Sequence, residues 1–252
     1  PDEVYNLAAQ SHVRISFDVP LYTVQTVANG VLNVIEAVKL VAPNARVYQA
    51  SSSEMFGNCI DDDGFQREST TMRPVSPYGC AKVFGYNISQ NYRHSYDMFI
   101  SNGILFNHES PRRGSNFVTS KIVKGAIAIA CGKATELRMG NLDARRDWGH
   151  AKDYVEAMWM ILQADEPDDY VCATGVSHSV RDCCEYVFSK LGMNYEDYYV
   201  LDKRYLRPEE LHDLKGDSTK IRKKLNWNPK YTFETLMDDM VESDENFPNI
   251  KK

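Results

Sequence analysis

Residues 46–54 read Arg-Val-Tyr-Gln-Ala-Ser-Ser-Ser-Glu. The β-rich start predicts a short buried strand over 46–50, and the serines and Glu54 predict a polar turn at its end. What flanks this stretch decides the fold. Before it, Val24, Val27, Val31, Val34, Ile35, Val38 and Val41 recur at helical spacing over 21–42, and Pro43-Asn44 stops that helix. After it come a polar loop (57–75, with aspartates at 61–63), a helix from Tyr78 to Tyr96 and a buried strand over 98–106. The alternation continues on both sides. A strand is expected over 3–8, a helix over 116–131, a strand over 136–139, a helix over 151–164, a strand over 169–173 and a helix over 179–191. Two helical segments follow near 217–225 and 233–246. Strands separated by helices of this length predict βαβ units: an α/β fold, a Rossmann-type doubly wound parallel sheet. In such sheets the site lies at the carboxyl ends of the strands. Ala8 to Ser11, Ala50 to Glu54 and Phe106 to His108 are all such ends, and all are followed by chemically capable residues.

Composition narrows the class. The 252 residues are 43 % hydrophobic and 25 % charged, which excludes a disordered, collagen-like or coiled-coil chain. Lys+Arg is 29 against 35 Asp+Glu, a net charge of −6, so no global basic footprint for nucleic acid exists. No stretch approaches 18 consecutive apolar residues, which predicts no membrane helix. Residues 1–7 carry neither a basic start nor an apolar signal core. The expectation is a soluble, cytoplasmic protein. Cys59, Cys80, Cys131, Cys172, Cys183 and Cys184 form no CxxC pair. They read as reduced, mostly buried thiols, with no metal site. The chain opens on Pro1 with no initiator Met, within residues of a core strand, and so reads as cut.

The chemistry centres on Tyr78 and Lys82 in Ser-Pro-Tyr-Gly-Cys-Ala-Lys (76–82). Spacing of i, i+4 puts both on one helix face. An ammonium beside a phenol favours the phenolate, making Tyr78 a candidate base for a sugar hydroxyl during oxidation. With 15 tyrosines in the chain the bare pattern also arises by chance on a helix surface. Ser52 and Glu54 end the preceding strand and would face the same crevice. The serine run could equally be a cap or turn, but a carboxylate beside a Tyr–Lys pair suggests a second proton transfer.

Several segments carry a more specific signal. They are Tyr-Gln-Ala-Ser-Ser-Ser-Glu-Met-Phe-Gly (48–57), Ser-Pro-Tyr-Gly-Cys-Ala-Lys (76–82), Asn-Gly-Ile-Leu-Phe-Asn-His-Glu-Ser-Pro-Arg-Arg-Gly (102–114), Asn-Phe-Val-Thr-Ser-Lys (116–121) and Gly-Asn-Leu-Asp-Ala-Arg-Arg-Asp-Trp-Gly-His-Ala-Lys-Asp-Tyr-Val (140–155). From residue 1 to about 242 the chain resembles the GDP-mannose 4,6-dehydratases, which are extended short-chain dehydrogenase/reductases. Segments 102–114 and 140–155 separate this family from related epimerases and dTDP-glucose dehydratases.

The resemblance implies an NADP-dependent lyase that dehydrates GDP-mannose to GDP-4-keto-6-deoxymannose, a first step toward GDP-fucose and other GDP-6-deoxyhexoses. Tyr78 would take the 4-hydroxyl proton as the C4 hydride leaves. Glu54 would take the C5 proton and return it to the departing 6-hydroxyl, and the hydride would come back at C6. Lys82 would tune Tyr78 and touch the nicotinamide ribose. Ser52, where the family usually has Thr, would hydrogen-bond the 4-oxygen. Implied cofactor contacts are Leu7, Ala8, Ala9, Gln10, Ser11, Tyr22, Lys82, His108 and Arg113. Implied substrate contacts are Asn107, Val118, Lys121, Arg146, Arg207 and Glu210, the three cations suiting a diphosphate. Residues 1–112 and 147–176 would be the NADP-binding part, and 113–146 and 177–252 the GDP-sugar-binding part. No nucleic-acid or membrane partner is expected. The family tends to form tetramers, so a homo-oligomer, dimer or tetramer, is implied.

The family's Gly-rich fingerprint is absent; Gly57, Gly64 and Gly79 are scattered. The chain is therefore expected to be a fragment lacking on the order of 70–90 residues. Its sheet is expected to expose an edge and an apolar face, leaving it inactive and poorly stable alone. Two other readings remain: a related epimerase or reductase, against which Glu54 and segment 140–155 argue, and a piece that binds without turnover.

Overall fold

The computed structural model describes residues 1–250. A four-stranded parallel sheet in the order β1-β2-β3-β7 forms its first half. The strands are β1 (Glu3–Asn6), β2 (Arg46–Ser52), β3 (Ile100–Leu105) and β7 (Asp169–Cys172). Register pairs Glu3 with Arg46, Val47 with Ile100, and Asn102 with Asp169. Helices cover both faces, as the alternation predicts. On one face, α3 (Gly30–Val41) and α4 (Pro77–Tyr96) bury Val31, Ile35, Val38 and Tyr92 against Val47 and Ile100. On the other, α6 (Ala151–Gln163) buries Tyr154, Ala157, Met158 and Ile161 against Tyr48 and Leu105. β2 is buried along its centre because both faces are covered. The outer edge of β1 has no strand partner among the described residues. Beside it Leu7 is 53 % exposed, and Leu21 and Tyr22 are also exposed.

The helix expected over 21–42 is α2 (Pro20–Val24) running into α3 through a π-turn at Gln25–Asn29. Its 22 residues, Pro20–Val41, are long and apolar enough to cross a membrane by length and composition, a test that a buried core helix also passes. In this fold Val27, Val31, Ile35 and Val38 of that helix are core residues.

The second half carries a sheet in the order β10-β6-β4, with β8 antiparallel on β6. Its strands are β4 (Asn107–Glu109), β6 (Arg145–His150), β8 (Ser177–Ser179) and β10 (Asp213–Leu214). The boundary expected between 146 and 147 falls inside β6. A two-stranded sheet pairs β5 (Leu137–Met139) with β9 (Tyr199–Leu201). A separate core joins α5 (Val118–Ala130), α7 (Val180–Lys190) and α9 (Phe233–Glu242) through Ile122, Val123, Val187, Phe188 and Leu236. Further short helices are α1 (Val13–Asp18), α8 (Thr219–Leu225) and α10 (Phe247–Ile250). All six cysteines are free, but only Cys172, Cys183 and Cys184 are buried, and Cys80 is exposed. Thus "mostly buried" holds for half of them. Among the described residues no His/Cys/Asp/Glu group could hold a metal.

Candidate active site

The carboxyl ends of β1, β2 and β3 open into a cavity of about 500 Å³ between the two halves. β2 ends at Ser52, whose Oγ accepts from the Glu54 amide at 3.2 Å and caps a single 3-10 turn, Ser53–Met55. That cap sets Glu54 at the cavity wall. α4 begins directly opposite, with Ser76 as N-cap and Pro77 in its first turn. Gly79 lets the two approach: a Cβ there would lie 2.9 Å from the Glu54 carbonyl oxygen and 2.8 Å from Pro74 Cβ. Tyr78 is thereby brought beside Ser52 and Glu54, and it hydrogen-bonds Ser52.

Tyr78 and Lys82 share one face of α4, with Lys82 Nζ 5.6 Å from the phenol ring centroid. The expected direct tuning is not what this state holds. Lys82 Nζ donates to the Ala50 carbonyl at 2.7 Å. Burial pushes the Tyr78 phenol well up; the Ser52 hydrogen bond and Arg113 pull it down, and Glu54 adds to the rise. Lys82 is 4 % exposed, and burial lowers its pKa to about 8. An ammonium has three donors, and among the described residues Lys82 makes this one hydrogen bond.

Glu54 is 8 % exposed. Its Oε1 accepts from Arg207 Nη1 at 3.1 Å, and its Oε2 is buried without a hydrogen-bond partner among the described residues. His108 projects from β4, with Nδ1 2.9 Å from the Phe106 carbonyl oxygen. A carbonyl only accepts, so Nδ1 carries the proton and Nε2 is the acceptor. The ring stacks on Tyr154 at 4.9 Å. Burial lowers its pKa to about 4 against the opposing Phe106 bond, so it is neutral. Arg113 Nε lies 2.9 Å from Glu109 Oε2, and its guanidinium sits 3.5 Å over Phe117.

Of the substrate contacts implied by the sequence, Asn107, Val118, Lys121, Arg146, Arg207 and Glu210 all line the cavity. Lys121 Nζ is buried without a hydrogen-bond partner among the described residues, 3.1 Å over the Tyr205 ring. Arg146 is more committed: it donates to the carbonyls of Arg145 and Leu211 and, at 3.3 Å, to Glu210. Burial lowers its pKa, helped by Arg207. Of the cofactor contacts, Leu7, Ala9, Ser11, Lys82, His108 and Arg113 line the cavity. Ala8, Gln10 and Tyr22 do not; Tyr22 is 59 % exposed on α2.

Sequence reasoning missed His12, Arg14, Asn116, Phe117 and Tyr205, which also line the cavity. His12 caps α1 through Nδ1, and its Nε2 lies 3.3 Å from the Asn116 carbonyl, joining the two halves across the mouth. Its place directly after the β1 end was the available signal. Asp147 was also missed. It is fully buried and takes amides of Thr174, Gly175 and Gly216 together with the Thr174 hydroxyl. Burial raises its pKa to about 6 against those bonds. It fixes β6, and so Arg146, to the loop after β7.

The family model of GDP-mannose 4,6 dehydratase matches residues 1–240. Over 248 residues the chain is 50 % identical to GDP-mannose 4,6 dehydratase 1 of Arabidopsis thaliana, covering 97 % of this chain and 68 % of that protein. It is 46 % identical to the GDP-mannose 4,6 dehydratase of Homo sapiens and 45 % to that of Vibrio cholerae, covering 70 % and 73 % of them. The chain thus spans about two thirds to three quarters of these relatives. Among solved structures, it resembles RMD from Pseudomonas aeruginosa complexed with NADPH (TM-score 0.87, 20 % identity, 99 % of this chain and 82 % of that one). It also resembles DesIV, a dTDP-glucose 4,6-dehydratase from Streptomyces venezuelae with NAD and TYD bound (TM-score 0.84, 20 % identity, 99 % and 76 %). These likenesses show a Rossmann-like α/β fold. The sequence match, nearly end to end and at half identity, establishes more: the chain belongs to the GDP-mannose 4,6-dehydratase family of hydro-lyases.

Proposed function

We propose that this chain carries the catalytic groups and the sugar-nucleotide pocket of an NADP-dependent dehydratase that turns GDP-mannose into GDP-4-keto-6-deoxymannose. The observation that carries the reading is Glu54 Oε2, a buried carboxylate oxygen with no hydrogen-bond partner among the described residues, beside Tyr78 and Ser52 in one cavity. An oxidoreductase needs only the Tyr–Lys pair; a second base in the same cavity is what elimination of water requires.

The residues present fit the nicotinamide-ribose half of the cofactor. Lys82 keeps spare donors and His108 a fixed acceptor nitrogen, while small Ala9 and Ser11 follow β1. When bound, NADP supplies the hydride acceptor and donor for oxidation at C4 and reduction at C6. Tyr78 takes the 4-hydroxyl proton, with Ser52 holding that oxygen. The 4-ketone acidifies C5–H, and Glu54 removes that proton through Oε2. The same carboxyl then protonates the 6-hydroxyl, which leaves as water. Lys121, whose ammonium rests on the Tyr205 ring, meets the diphosphate, with Arg146 beside it and Asn107, Val118 and Glu210 on the remaining wall. Residues 1–112 and 147–176 form the cofactor side, and 113–146 and 177–252 the GDP-sugar side. Leu7, Ala8, Gln10, Tyr22 and Arg113 complete the cofactor contacts. A cytoplasmic homo-oligomer, dimer or tetramer, is the working assembly, with the Arg112-Arg113 loop reaching a neighbouring subunit.

The test is the protein as its source makes it, given NADP and GDP-mannose and followed by mass spectrometry of the sugar nucleotide. A product lighter by one water supports the reading; GDP-mannose returned with only its C4 configuration changed would replace it with an epimerase. Ser52→Thr keeps the hydroxyl and adds a methyl that narrows its rotamers. Its kcat is expected to stay within about threefold of the parent, since the hydrogen bond survives; complete loss of activity would remove Ser52 from this role.

A further inference from the structure

Glu109 is a buried carboxylate to which the mechanism gives no task. It ends β4, directly after His108, and is 1 % exposed. Two groups meet its Oε2: the Thr119 hydroxyl donates at 2.6 Å, and Arg113 Nε lies 2.9 Å away. Burial raises the carboxyl pKa, while Arg113 and Thr119 pull it back. A carboxylate left in that place with no cation would be strongly unfavourable.

Arg113 is fixed in both backbone and side chain. Its amide donates to the Ser110 carbonyl at 2.9 Å, and its carbonyl accepts from the Ser120 hydroxyl at 3.0 Å. Phe117 takes the face of the guanidinium at 3.5 Å, and Glu109 takes Nε. What an arginine held in this way offers a ligand is its in-plane Nη edge, the fork that pairs with phosphate oxygens. Arg113 and Glu109 both line the cavity.

We propose that Glu109 is a positioning residue of the cofactor site: it sets the Arg113 guanidinium by Nε, ties it through Thr119 to the head of α5, and so presents a fixed Nη edge to phosphate oxygens of the dinucleotide. This rests on the dehydratase reading above, in which Arg113 is a cofactor contact. Thr119 stands between Val118 and Lys121 on α5. One carboxylate therefore joins the cofactor arginine to the helix of the sugar-nucleotide wall. Without it the guanidinium would keep its stack on Phe117 but lose the in-plane direction that the ion pair gives it.

The test compares Glu109→Gln, Arg113→Gln, the double variant and Thr119→Val in the protein as its source makes it. NADPH is titrated by its fluorescence, and GDP by calorimetry. Glu109→Gln is expected to lose about tenfold in NADPH affinity, the scale of one charge-assisted hydrogen bond, with GDP affinity changed less than about threefold. Arg113→Gln is expected to lose at least as much. The double variant is expected to bind NADPH within about twofold of Arg113→Gln alone, because residues that act through one contact are not additive. A purely structural Glu109 gives no such coupling. Thr119→Val keeps the ion pair and is expected to lose about threefold for NADPH; it carries the test should Glu109→Gln not fold. Additive losses in the double variant, an equal loss for GDP, or an unchanged NADPH affinity in Glu109→Gln or Thr119→Val would each overturn the proposal alone. Failure of the parent protein to bind both NADPH and GDP would overturn the dehydratase reading, and the role of Glu109 with it.

Discussion

Tyr78→Phe is expected to lower turnover of GDP-mannose by about 10³-fold, within the range a general base contributes. The ring stays in its slot, where Tyr78 is 7 % exposed, so the fold and KM should change little. What disappears is the oxygen that hydrogen-bonds Ser52 and receives the 4-hydroxyl proton. The pH profile gives a second signature. Burial lowers Lys82 to about 8 and pushes the Tyr78 phenol well above its usual range. The pair therefore sheds its first proton near pH 8, and phenolate with ammonium is one of two ways to hold the remaining one. Activity should climb with pH up to about 8 and then level off. The residual rate of Tyr78→Phe should lose that climb. A parent rate that is flat from pH 6 to 8 would show that this pair does not set the acidic limb.

Glu54→Gln is expected to cut dehydration by at least about 10³-fold while sparing oxidation at C4, because it removes a base that acts one step later. The substitution is nearly isosteric and keeps an oxygen for Arg207 to bond. The accumulated species should be the oxidised sugar with C5 unexchanged, so deuterium from solvent should not enter C5 in a mass spectrum. If Glu54→Gln still formed the 4-keto-6-deoxy product at the parent rate, the base would lie elsewhere, and the epimerase or reductase reading would regain ground.

The long elements were legible because their periodicities are strong. Helix 78–96 is found at Pro77–Tyr96, and the strand expected over 98–106 at Ile100–Leu105. The three strand ends named from sequence do converge on one cavity. β6 was not legible: Arg-Arg-Asp-Trp-Gly-His has no alternation of apolar and polar residues, and Arg145-Arg146-Asp147 alone resembles a solvated loop. It is a strand because Asp147 accepts from amides of two other segments and Arg146 donates to the Leu211 carbonyl, all of them long-range partners. β8, β9 and β10 are two or three residues long and carry too little pattern to register. The Tyr78–Lys82 spacing was read correctly as one helix face. That the lysine would be occupied by Ala50 depended on where β2 ends, and no spacing encodes that.

Lys82 also ties the site to the thermodynamics of the whole chain. Its folded pKa of about 8 lies below its ordinary 10.5. Between those values the unfolded chain holds more protons than the folded one, so stability rises with pH across that window. Below it both states are charged, and the full penalty of an under-solvated ammonium weighs on the fold. Any bound molecule that accepts hydrogen bonds from the spare donors relieves that penalty and stabilises the native state by mass action. Occupancy, proton uptake and folding then form one linked equilibrium, and the empty cavity is its least stable corner at neutral pH.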